Sequence, residues 1–187
     1  MRLTEGELKL ITQLRQDGVL ENVNNHRLDP KGVILVACGD CDRFPDIYRH
    51  KRRSYRQAGK RHARLHLHCW NGGALRLVPG SPANKPGRST AVDFQEDVLE
   101  SERIKRLHTV ALYVHRPCAK AANSKMGLLQ QMLMLYGAKR ELKKKNNKLH
   151  VACFVHIDYG TRRNKRQKSY FMSCTKFISW YALRADR

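Results

Sequence analysis

Apolar and polar positions along the chain switch repeatedly between a period of about 3.6 and a period of 2, or an unbroken apolar run. Thr4 and Glu7 stand at capping-box spacing, and Leu8, Ile11 and Leu14 follow at helical intervals until Gly18, which predicts an amino-terminal helix. Val33-Ile34-Leu35-Val36-Ala37 is a short apolar run ahead of a Gly-Asp turn, as strands buried on both faces of a parallel sheet read. Residues 46 to about 63 read as a basic helix. Leu65, Leu67 and Cys69 alternate with His66 and His68 as a second strand that leads into Asn71-Gly72-Gly73. A loop of Pro79, Gly80, Pro82, Pro86 and Gly87 follows, and Ser89 or Thr90 opens a helix to about residue 107 with acidic early turns. Thr109-Val110-Ala111-Leu112-Tyr113-Val114 is the third strand. A Leu- and Met-rich helix over 119–136, with Met126, Met132 and Met134 as packing residues, is followed by a short second helix to about 145. The fourth strand covers 149–157, and 169–174 is an antiparallel return strand after a turn at 162–168. Cys153 and Cys174 then both fall in core strands.

Strands alternating with helices predict an α/β fold: a mainly parallel central sheet with flanking helices and an antiparallel edge strand. No repeat or flexible linker divides the 187 residues, so the expectation is a single domain, 1–28 as an amino-terminal helical arm and 29–187 as the core. No stretch approaches the roughly 20 apolar residues of a membrane span. The start, Met1-Arg2-Leu3-Thr4-Glu5, carries charge where a signal peptide is apolar. The expectation is a cytoplasmic protein with no membrane partner. Its six cysteines then point to metal binding or catalysis rather than disulfides.

Charge adds a second theme. Thirty-seven Lys and Arg against sixteen Asp and Glu give a net +21. The excess is concentrated: 49–64 holds Arg49, Lys51, Arg52, Arg53, Arg56, Lys60, Arg61 and Arg64 without an acid, and 139–148 and 162–168 are further basic blocks. Two readings stand side by side, a solvated basic surface and a site for nucleic acid or another polyanion bound through counterion release.

The chemistry lies at the strand ends. Cys38 closes the first strand, His115 closes the third, and Cys118 comes three residues later where a helix begins. In open parallel sheets the carboxyl ends of strands form the crevice where sites are built, so residues far apart in sequence converge there. Two thiolates and an imidazole suit Zn²⁺ in tetrahedral geometry. Three protein ligands leave one position, which a water acidified to a pKa of about 7 can take. Asp40 or Cys41 are close enough to compete for it as a fourth ligand. Cys41 is alternatively a bystander, or a redox partner of Cys38. The plain alternative for the three is two buried cysteines and a strand-end histidine. His66, His68 and Cys69 suggest a second cluster, but strand alternation sends neighbours to opposite faces.

Cys38-Gly39-Asp40, then Asn71-Gly72-Gly73, then His115-Arg116-Pro117-Cys118 resemble, in order, the Cys-x-Asp-x-Arg motif, the Gly-containing turn and the His-x-x-Cys motif of the β-class carbonic anhydrases. The closing strand with Asp158-Tyr159-Gly160 also looks like that family's end, so the resemblance spans roughly 33–174. It implies Cys38, His115 and Cys118 as zinc ligands, and Asp40 as the group that orients the zinc-bound water or closes the site by ligating the metal. It implies Asn71, Gly72 and Gly73 beside the substrate, a homodimer, and a zinc lyase that hydrates CO2 reversibly to bicarbonate. The chain departs from the family in three places. Asp42 stands where the family has Arg, with Arg43 one place on; Ala119 replaces Gly after the second Cys; Trp70 precedes Asn71. Either Arg43 takes over the hold on catalytic Asp40 or that hold is lost, and with it catalysis, leaving a zinc-stabilised fold that binds polyanions. Nothing in the residues separates CO2 from another small linear molecule such as CS2 or COS.

Overall fold

The computed structural model describes residues 2–23, 31–57, 59, 64–160 and 167–185. The end of the basic helix expected to 63, the last residues of the expected arm and most of the expected 162–168 turn lie outside the described residues.

Helix α1 (Glu5–Gln16) begins at a reciprocal cap. Thr4 Oγ1 accepts the Glu7 N–H at 3.2 Å, and a Glu7 carboxylate oxygen accepts the Thr4 N–H at 3.0 Å, so two donors that the first turn leaves orphaned are satisfied. The chain then enters a six-stranded sheet of order β1-β6-β5-β4-β2-β3. Strands β2 (Val33–Ala37), β3 (Leu65–Cys69), β4 (Thr109–Arg116) and β5 (His150–Asp158) run parallel. Strand β6 (Gln167–Met172) returns antiparallel to β5, and β1 (Leu20–Asn22) pairs antiparallel with β6 at the edge. The fold is α/β with a mixed, mostly parallel sheet, as the hydrophobic pattern predicts.

Because side chains alternate along a strand, the sheet divides two cores. One face sends Ile34, Val36, Val110, Leu112, Val114, Val155, Ile157 and Met172 against α1, a 3-10 helix (Gly73–Leu77), α3 (Thr90–Lys105), α5 (Leu128–Lys145) and α6 (Cys174–Ala185). The other sends Val33, Leu35, Ala37, Ala111, Tyr113 and Phe154 against Ile47 and Tyr55 of α2 (Phe44–Gln57).

Three expectations are corrected. The helix expected over 119–136 breaks: α4 (Ala119–Asn123) ends, Lys125 turns left-handed at φ 54°, and α5 starts afresh after Gly127 and runs unbroken to Lys145. Its last turn carries Lys143, Lys144 and Lys145, where positive charge favours the helix dipole. The return strand ends at Met172, so Cys174 opens α6 instead of lying in a strand. That helix docks through buried Phe177 and Trp180, whose indole N–H donates to Asp17 at 2.6 Å. The basic helix opens earlier than expected, at Phe44, because Asp40 accepts the Phe44 N–H through its backbone carbonyl and starts the first turn.

Candidate metal centre

Each of the three soft ligands is delivered by a strand end. Cys38 follows β2, His115 is the penultimate residue of β4, and Cys118 caps α4 across the short Arg116-Pro117 link. All three are buried, at 7%, 2% and 2% exposure. One ligand atom from each lies within 4.8 Å of the others, so the group could hold a metal ion. Burying a ligand atom without a partner is costly, and the details show what the group is short of. His115 Nδ1 donates to the Pro117 carbonyl at 2.9 Å, which fixes the tautomer and leaves Nε2 with a lone pair. Nε2 is buried with no hydrogen-bond partner among the described residues. Hydrogen bonding between the two sulfurs pushes the Cys38 thiol up and draws Cys118 down. A bound divalent cation would displace the thiol protons and take up the Nε2 lone pair. The residues present fit zinc.

The glycine turn holds this loop in place. Gly72 N–H donates to Cys38 Sγ at 3.2 Å. Gly73 has φ +50°, and a Cβ there would stand 2.5 Å from the Cys38 nitrogen and 2.6 Å from the Ala37 carbonyl carbon. The close approach made by these two glycines is thus to the ligand-bearing strand end, while Asn71 is exposed at the turn.

Asp40 sits beside the group and is held by Arg43. Its Oδ1 accepts the N–H groups of Asp42 at 3.0 Å and Arg43 at 3.2 Å, and an Arg43 Nη lies 3.3 and 3.4 Å from its two oxygens. The other Nη reaches Asp158 at 3.1 Å, at the end of β5. Partial burial pushes the Asp40 carboxyl up, but the pull of His115 whenever its ring is protonated, the Arg43 charge and the N–H donors outweigh it and hold it below the usual carboxylate range. Of the two outcomes open from the sequence, Arg43 does grip Asp40. Cys41 is exposed, and neither it nor Asp40 belongs to the three-residue group found among the described residues. His66 and His68 share a face and both approach Ser101 Oγ at 2.9 Å through Nε2, with Cys69 on the opposite face and no metal-holding group there among the described residues.

Three participants were not read from the sequence. Glu7 accepts from Arg116 Nε at 2.6 Å, tying α1 to the strand that carries His115. Asp158 completes the Arg43 clasp; its place at the carboxyl end of β5, the parallel strand beside the one that carries His115, was the available signal. Lys51 is buried at 2% exposure on the inner face of α2, its Nζ 4.0 Å from the Phe154 ring centroid and 5.8 Å from that of Tyr113. Burial lowers its ammonium to about 7. Its spacing with Ile47 and Tyr55, at i−4 and i+4, was the one signal of its burial, masked by the arginines around it.

No protein-family model matches the chain, and no curated protein matches it. Among solved structures, the carbonic anhydrase of Streptococcus mutans superposes with a TM-score of 0.42 at 11% identity, over 90% of this chain and 99% of that one. A likeness of that size leaves the side chains at the strand ends to decide what the site can do.

Proposed function

We propose that the chain is a zinc lyase like the β-class carbonic anhydrases, hydrating CO2 reversibly to bicarbonate and a proton. The observation that supports it most is the buried Cys38–His115–Cys118 group with its unpartnered Nε2, next to a carboxylate held by arginine. When bound by Cys38 Sγ, His115 Nε2 and Cys118 Sγ, zinc would supply the Lewis acidity that lets a water lose its proton near neutral pH. Asp40, ionised and fixed by Arg43, accepts a hydrogen bond from the attacking water and aims its lone pair at the carbon. Arg43, anchored on Asp158, keeps that carboxylate from turning to the metal as a fourth ligand. Gly72 N–H steadies the Cys38 sulfur, and the buried walls around the ligands exclude competing water. A homodimer belongs to the same reading, and sedimentation velocity tests it.

The deciding experiment measures zinc content and stopped-flow CO2 hydration on wild type and Asp40→Ala side by side. One zinc per chain, with hydration that falls about 100-fold in Asp40→Ala while zinc is kept, is the expected result. Zinc without hydration in the wild type would leave the ion a structural role and sink the enzyme reading. Absence of zinc from protein purified without chelators would sink the metal as well.

A further inference from the structure

Helix α2 carries a feature that the metal centre does not use. Positions 49, 52, 53 and 56 are i, i+3, i+4 and i+7, one face of an α-helix. All four are arginine and all four are exposed. The opposite face, Ile47, Lys51 and Tyr55, is buried against the sheet, which fixes the helix's rotation and turns the arginines outward.

Basic residues on other helices have acidic neighbours: Lys144 pairs with Glu141, Lys145 with Glu96 and Arg103 with Glu100. Among the described residues no carboxylate pairs with Arg49, Arg52, Arg53 or Arg56, and Arg52 lies 5.8 Å from the Tyr48 ring centroid. The one acid of α2, Asp46, sits in its first turn and lines a cleft with His50 and Ser169. Like charges at i, i+3 and i+4 repel, a cost that a bound polyanion removes.

We infer that this arginine face of α2 binds the phosphodiester backbone of nucleic acid. Guanidinium forks match phosphate oxygens two at a time, which lysine cannot do. From Arg49 to Arg56 the helix rises about 10 Å at 1.5 Å per residue, close to three nucleotides at about 3.4 Å each along one strand. A membrane surface fits less well, because the outward positions between the arginines offer no large apolar side chain to insert. The inference does not depend on zinc or on catalysis.

The test is fluorescence anisotropy of the full chain with a labelled single-stranded oligonucleotide of about 20 nucleotides, with salt raised from about 50 to about 200 mM. The logarithm of the wild-type association constant is expected to fall linearly with log[salt]. The variant R49Q/R52Q/R53Q/R56Q should lose at least tenfold in affinity at about 100 mM salt, with a slope shallower by about 3, at roughly 0.7 per phosphate contact. The variant R140Q/K144Q/K145Q/K148Q removes the same charge from α5 and the residues after it, and should change affinity less than about threefold. R52E/R53E makes the same net change on α2 with two substitutions and should match the first variant, which keeps the test alive if four replacements disturb folding. Equal losses from the α2 and α5 variants would reduce the effect to net charge and overturn the site. No oligonucleotide binding at low salt would overturn it too, as would binding confined to phosphatidylserine vesicles.

Discussion

Two places in this molecule bury groups that ordinarily carry charge, and they resolve the problem in opposite ways. At the strand ends, Cys38, Cys118 and His115 stand within reach of one another as a group that a cation could complete. Under α2, Lys51 stands over two aromatic rings with no carboxylate in ion-pair reach among the described residues, and burial eases the loss of its proton by lowering the ammonium to about 7. Ring faces attract a desolvated ammonium by about 2 kcal/mol or somewhat more, less than the several kcal/mol that taking it from water costs. The lesson is that burial alone does not mark a site: what distinguishes one is several unsatisfied groups converging on a common point.

The largest effect expected from breaking this contrast is at the metal group. Cys38→Ser should lose zinc and abolish CO2 hydration. Stripping the metal from wild type should lower Tm by about 10 °C, the equivalent of a ligand present at about a thousand times its Kd. A chelated protein that melts unchanged would show that the group does not need a cation to remain buried.

Lys51 sharpens the other half. The unfolded chain holds this proton up to a pKa of about 10.4 and the folded chain only to about 7. Between those values the unfolded state binds more protons, so stability should rise with pH, by about 5 kcal/mol over the whole window at about 1.4 per pH unit. Below about pH 7 both states are protonated and the gain is absent. Lys51→Met should flatten this rise and stabilise the protein near neutral pH by about 4 kcal/mol. Urea melts at both ends of the window check it; a less stable Lys51→Met at neutral pH would mean that the ammonium has a partner that offsets its burial.

Smaller effects follow at the supports. Gly73→Ala places a Cβ against the backbone of Cys38 at a positive φ and should cost about 2–3 kcal/mol with weakened zinc retention; thermal melts and metal analysis read both. Glu7→Gln keeps an acceptor for the cap but removes the charge facing Arg116 and should cost about 1–2 kcal/mol, read from the urea midpoint.

The sequence was most legible where a single physical rule governs. Unbroken or alternating apolar runs gave β2 to β5, and strand-end placement brought Cys38, His115 and Cys118 together before any coordinates. It was least legible where a tertiary partner decides. Leu20–Asn22 is too short to stand out, and becomes a strand only because Met172, Phe171 and Tyr170 lie opposite. Lys51 is lost among arginines whose exposed face makes the whole segment look solvated. The break at 124–127 has no proline to announce it. Arg43 stood one place from its expected position, and a helical first turn, which sequence spacing alone does not supply, brings its guanidinium back onto Asp40.

Glu7 has a consequence that reaches across the chain. One carboxylate oxygen closes the first turn of α1 and the other holds Arg116, a residue 109 positions away that directly follows His115. Fraying of the amino-terminal turn and loosening of the ligand-bearing strand end are therefore expected to be coupled. Backbone amides near residue 8 and near residue 116 should exchange with solvent deuterium in step, with a common lifetime, and metal bound at one end should lengthen that lifetime at the other.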